Sequence, residues 1–71
     1  MAKKNPNLKI AENIKKLRVE RKISRDRLSK LADLSLNTIV NIELGINPNP
    51  TIDTLLRIAK GFGVGVEELI K

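Results

Sequence analysis

The chain has 71 residues, which points to a single domain; it has no cysteine, which excludes a disulfide framework and a Cys-based zinc site and favours an intracellular compartment. Its formal net charge is +6, unevenly placed: residues 1–34 hold eleven Lys and Arg against four Asp and Glu, residues 35–71 three against four. That asymmetry suggests a basic face for a polyanion, nucleic acid before an acidic membrane, with plain solubility as the alternative.

The N-terminal "MAKKNPNLK" carries charge with no apolar core behind it and does not read as a signal peptide. Residues 1–7 read as a flexible basic arm. Asn7, just after Pro6, can cap a first helix in which Ile10, Ile14 and Leu17 recur at helical spacing. Lys15, Lys16, Arg18, Arg21 and Lys22 load its other surface, and Ile23 in the following turn is expected to plug the core. Ser24 is the next N-cap. The helix behind it, "RDRLSKLA", has Leu28, Leu31 and Ala32 as its apolar stripe, and Asp26 in its first turn suits the helix dipole. Asp33 tolerates a left-handed backbone. Ser35 can cap a third helix, 35–44, that stops at Gly45.

"INPNP" is a loop. Thr51 caps a fourth helix with a broad apolar face of Ile52, Leu55, Leu56, Ile58, Ala59 and Phe62, and Gly63 stops it. Gly61 inside that helix costs up to about 1 kcal/mol against alanine, and tight packing on a neighbour is the one reason for it. A short fifth helix, "VEELIK", closes the chain with Leu69 and Ile70. Val64, Val66, Leu69 and Ile70 form an apolar edge for dimerisation or for finishing the core. No strand or hairpin signal appears, and no apolar run approaches the roughly 18 residues of a transmembrane helix.

Enzymatic chemistry is not expected. There is no histidine and no cysteine, which removes the commonest general base and the commonest soft nucleophile. Glu67 and Glu68 are adjacent and do not share a helical face. "GFGVG" at 61–65 follows a helix rather than a strand, the wrong context for a phosphate loop. No metal, cofactor or small-molecule ligand is implied.

Residues 25–44 read as two short helices around the "DLS" turn. Apolar or small residues fall at Leu28, Ser29, Ala32, Leu34, Ile39 and Ile42, where two helices pack across a tight turn. This spacing resembles the helix-turn-helix of the phage-repressor-like (XRE, lambda-repressor-like) family. "IAENIKKLRVERKIS" is similar to that family's first helix, and "IELG…P…L..IAKGFGV…LI" to its later half, so the likeness covers roughly residues 8–70.

The resemblance implies an all-α, compact five-helix bundle forming a DNA-binding domain over 8–71. Helix 35–44 would lie in the major groove, and the second helix would cross above it with its N-terminus near a phosphate. It further implies a sequence-specific transcriptional regulator, a repressor, working as a homodimer on a near-palindromic operator. Its setting would be the cytoplasm of a prokaryote, or a phage's host, at the nucleoid. The family's base-contacting positions map to Leu36, Asn37 and Asn41. Arg25 stands where the family commonly has a phosphate-touching glutamine. Ser24, Ser35, Thr38 and Asn47 are lesser phosphate candidates, with capping the plainer role for Ser24 and Ser35. Lys3 and Lys4 are possible arm contacts. Arg18 and Glu43 map to a structural ion pair beneath the third helix.

Helix geometry tests the assignment independently. At about 100° per residue, Ile39 and Ile42 define the buried side, Asn37, Asn41 and Leu44 cluster opposite, and Leu36 and Val40 flank them. An asparagine amide fits adenine's major-groove edge, and Leu36 or Val40 can meet a thymine methyl; simple solvation is the alternative for the two asparagines. Four features depart from the family pattern: Asp33 replaces a glycine, Ser29 an alanine, "INPNP" carries no Lys or Arg, and the fifth helix begins after Gly65 where a Ser or Thr cap is common. A competing reading is a protein-interaction module on the same scaffold, an antitoxin or anti-repressor partner, with Leu36, Val40 and Leu44 as the stripe that receives a partner helix.

Overall fold

The computed structural model describes residues 8–71, and the described residues form five α-helices: α1 (Leu8–Glu20), α2 (Arg25–Ala32), α3 (Leu36–Glu43), α4 (Ile52–Phe62) and α5 (Glu67–Ile70). Asn7 as a cap, and the arm with Lys3 and Lys4, lie outside them.

Local chemistry sets the helix boundaries. Ser24, Ser35 and Thr51 each have extended backbone, and each side-chain oxygen accepts from the N–H three residues on. Each such cap contributes about 1 kcal/mol. Three helix ends share one device. After α1, α2 and α4 a residue turns left-handed: Lys22 (φ 56°), Asp33 (φ 57°) and Gly63 (φ 73°). The next N–H then reaches back: Ile23 to the Arg18 carbonyl, Leu34 to Ser29, Val64 to Ala59. This paired bonding is the Schellman motif. Each motif turns an apolar side chain (Ile23, Leu34, Val64) back onto the core.

That core is built from Ile14, Leu28, Ala32, Ile39, Ile42, Leu55, Ile58, Ala59, Phe62 and Leu69. Fully burying a side chain of Leu or Ile size stabilises by about 1.5–3 kcal/mol. α2 and α4 pack most extensively; α3 sits against α1 and α2, and α5 against α1. Gly61 is explained here. A Cβ on it would lie 3.2 Å from the backbone N of Ala32 and the carbonyl carbon of Leu31, so an alanine here would press on the α2 backbone unless it gave by a few tenths of an ångström. Asn13 ties α1 to the C-terminal segment, its Nδ2 donating to the Leu69 and Lys71 carbonyls at 2.9 Å.

Several sequence expectations need correction. Leu31 is exposed, because the close α2–α4 approach turns Ala32, Leu28 and Ser29 inward and leaves Leu31 on the opposite shoulder. Ser29 fits because its Oγ donates to the Asp26 carbonyl at 2.6 Å, so no hydroxyl is stranded. Ile52 and Leu56 are also exposed: the buried stripe of α4 is Leu55, Ile58, Ala59 and Phe62, with Ile52 overhanging its start and Leu56 to one side. Helix α3 ends at Glu43, one residue short of the expected 44, with Leu44 as its cap and Gly45 left-handed behind it (φ 76°). Of the apolar C-terminal edge, Leu69 is buried and Val64 and Val66 pack on the core; Ile70 is exposed.

Candidate nucleic-acid interface

The geometry of α3 follows from where its apolar residues fall. Ile39, Ile42 and Glu43 are buried, fixing one side of the helix against α1 and α2. Leu36 and Asn37 are exposed, Thr38, Val40 and Asn41 half-buried. The expected division of the helix is present. Asn37 and Asn41 lie one turn apart, and their side-chain amides have no hydrogen-bond partner among the described residues. Leu36 and Leu44 are exposed, Leu44 at 58% more so than Leu36 at 44%.

The hydroxyl candidates are occupied by structural roles. Ser24 Oγ accepts from Arg27 N at 3.0 Å, and Ser35 Oγ accepts from Thr38 N at 3.1 Å. The Ser35 and Thr38 hydroxyls also share a hydrogen bond of 2.8 Å. Asn47 N donates to the Asn41 carbonyl at 3.0 Å, closing the end of α3, and its Oδ1 accepts from Asn49 N at 3.3 Å.

Beneath α3 lies the expected ion pair. Arg18 Nε donates to Glu43 Oε2 at 2.7 Å and Arg18 Nη2 to Oε1 at 3.1 Å, a bidentate pairing. Arg18 Nη1 also donates to the Ile23 carbonyl at 2.9 Å, so one guanidinium joins α1, the turn and α3. Arg25 joins it: its Nε donates to Glu43 Oε1 at 3.0 Å. The Glu43 side chain is fully buried, so two cations face one carboxylate out of contact with water.

Besides the Arg25–Glu43 contact, two features escaped the sequence reading. Arg57 on α4 donates through Nη1 to the Asp33 carbonyl (3.3 Å) and Oδ2 (3.4 Å), and through Nε to Asp53 (3.0 Å). It therefore places a cation beside the carboxylate that Asp33 brings to the α2–α3 turn. The signal was the departure itself, since an acid in place of glycine there invites a basic neighbour. Arg21 donates through Nη1 to the Phe62 carbonyl at the end of α4, with its guanidinium 5.8 Å from the Phe62 ring centre. A cation at a helix C-terminus is favoured by the helix dipole and by the ring face. Arg27 is exposed in the first turn of α2, with no side-chain partner among the described residues.

No cluster of His, Cys, Asp or Glu able to hold a metal occurs among the described residues, and no helix there is long and apolar enough to cross a membrane. A pocket of about 160 Å³ lies between α1 and the chain end, lined by Asn13, Lys16, Leu17, Glu20, Glu68 and Lys71, away from the exposed side of α3. Compared with known proteins, residues 14–69 match the family model described as helix-turn-helix. Searches of curated proteins and of solved structures found no match.

Proposed function

The chain belongs to the XRE-family, lambda-repressor-like helix-turn-helix proteins, which are DNA-binding regulators, and from that premise we propose that it is a repressor reading a near-palindromic operator as a homodimer. In this reading α3 enters the major groove. Asn37 and Asn41 read base edges, with adenine as the fitting base, while Leu36 and Val40 meet thymine methyls. Arg25 holds a backbone phosphate at the start of α2. Ser24, Ser35, Thr38 and Asn47 add backbone contacts only where the hydrogen bonds of their caps leave capacity.

One observation carries the base-reading part of the proposal. Two amides stand one turn apart on the exposed side of α3 with no internal partner, while the other side is locked by Ile39, Ile42 and the Glu43 ion pairs. Buried polar groups are normally satisfied, and exposed ones on a poor helix former need another reason to be there. Selection of binding sites from a random duplex pool tests it. The expected outcome is a two-fold-related site with A·T pairs under Asn37 and Asn41. Selected sites that are unchanged for an Asn37→Ala/Asn41→Ala variant would sink the readout.

A second reading has an observation of its own: Leu36, Leu44 and Ile46 are large, apolar and exposed around α3. In that reading the exposed side of α3 receives a partner helix rather than a groove. The absence of any binding to random duplex DNA at low salt would favour it.

A further inference from the structure

Glu43 holds two arginines, and it does not hold them alike. Its side chain is fully buried, Arg18 is 14% exposed and Arg25 36%. Arg18 spends all three of its guanidinium nitrogens inside the protein: Nε and Nη2 on the Glu43 carboxylate, Nη1 on the Ile23 carbonyl. Arg25 spends only Nε, at 3.0 Å from Oε1, and its two Nη nitrogens have no partner among the described residues. One carboxylate against two guanidinium groups leaves one net positive charge. The more exposed arginine is the one placed to carry it to the surface.

We propose that Glu43 is a positioning residue for Arg25. The carboxylate takes the Nε side of the guanidinium, and the opposite edge, the pair of Nη nitrogens, is thereby fixed as a bidentate clamp for a phosphodiester of the DNA backbone. This rests on the regulator reading above. The planar fork of arginine matches two phosphate oxygens, which a lysine ammonium does not. A side chain already held by a buried carboxylate has lost its rotamer freedom on folding, so it loses little more on binding. The arrangement also joins two parts of the interface: Glu43 ends α3 and Arg25 begins α2, so the seating of the reading helix and the aim of the clamp depend on one carboxylate.

The test compares the wild-type chain with Arg25→Lys by titrating random-sequence duplex DNA at several salt concentrations. Arg25→Lys keeps the charge and lies at a partly exposed position. It should weaken binding to every duplex alike by about tenfold, since the fork and its fixed aim are lost. The slope of log K against log salt should change by less than about one, since the cation remains. Binding equal to wild type would show that charge alone suffices and would overturn the positioning role.

A second measurement bears on Glu43 directly, because Glu43→Gln also breaks the Arg18 pair and endangers the fold. In ¹⁵N-labelled wild-type protein without DNA, the Arg25 Nε–H should exchange slowly with solvent. Adding duplex DNA should shift its Nη signals more than its Nε signal. Exchange of the Nε–H as fast as in a freely hydrated arginine overturns the proposal. Failure of the wild-type chain to bind any duplex at low salt overturns the regulator reading and the clamp with it. Wild-type binding with an unaffected Arg25→Lys variant overturns the clamp alone.

Discussion

Helices α2 and α3 are built to the same plan and end as different objects. Each has eight residues, and each is capped by a serine whose Oγ accepts from the N–H three positions on. Yet α2 carries Arg25, Asp26, Arg27 and Lys30, all at least partly exposed, whereas the sole charge of α3 is Glu43, with its side chain fully buried. Their ends differ too: Asp33 returns Leu34 to the core, but Gly45 leaves Ile46 66% exposed. The difference matches the two tasks of a DNA-binding surface. In the proposed reading the cations of α2 contact the phosphate backbone regardless of sequence, and the amides of α3 read base edges. Those amides favour adenine edges, where an arginine or lysine would favour guanine.

The largest expected effect removes what holds the neutral helix in place. Arg18→Met leaves Glu43 buried with Arg25 as its remaining partner and leaves the Ile23 carbonyl without its side-chain donor. Breaking a buried pair on one side costs about 3–5 kcal/mol, and the surviving Arg25 bond puts the expected loss near the lower end. Urea denaturation measures it. A loss below about 1 kcal/mol, the range of an exposed pair, would mean that Arg25 alone satisfies the carboxylate.

Next in size is the division of labour itself. Asn41→Ala should lose about 1–3 kcal/mol of discrimination between a selected site and its A·T-to-G·C variants while leaving non-specific binding in place. Arg25→Ala, on the charged helix, should weaken all duplexes evenly and reduce the salt slope by about one. Fluorescence titrations of both variants against a selected and a scrambled duplex separate the two behaviours. Even weakening by Asn41→Ala would erase the contrast between the helices.

How much of this was legible in the sequence depended on whether a residue acts locally or across the fold. Ser24, Ser35 and Thr51 could be named as caps because a cap bonds three residues along the chain. The inward placing of Ile39 and Ile42 followed from helical period alone. Leu31, Ile52 and Leu56 could not be placed that way: which shoulder of an amphipathic helix is covered depends on the partner, here on how closely Gly61 lets α4 approach α2. The Arg18–Glu43 pair was expected from family likeness, spanning 25 residues of sequence. Arg25 joining it was not, because the likeness assigned that position to phosphate, and only three-dimensional proximity shows the shared carboxylate. Arg57 on Asp33 is a similar long-range contact.

The smallest expected effect sharpens the contrast between the two helix ends. Leu34 and Ile46 each follow a left-handed residue, but Leu34 packs on the core and Ile46 stands in solvent beside the exposed Leu44. Leu34→Ser should cost about 1–2 kcal/mol through lost burial. Ile46→Ser should change stability by no more than about 0.5 kcal/mol, because little of its surface leaves water on folding. Thermal melts of both variants at low and high protein concentration give the comparison. If Ile46→Ser lowers the melting temperature only at high concentration, Ile46 is covered by a second copy of the chain, since a stabilising partner makes stability depend on concentration. If it does nothing at either concentration, the open end of α3 is a free apolar surface, and the proposed homodimer would have to use another face.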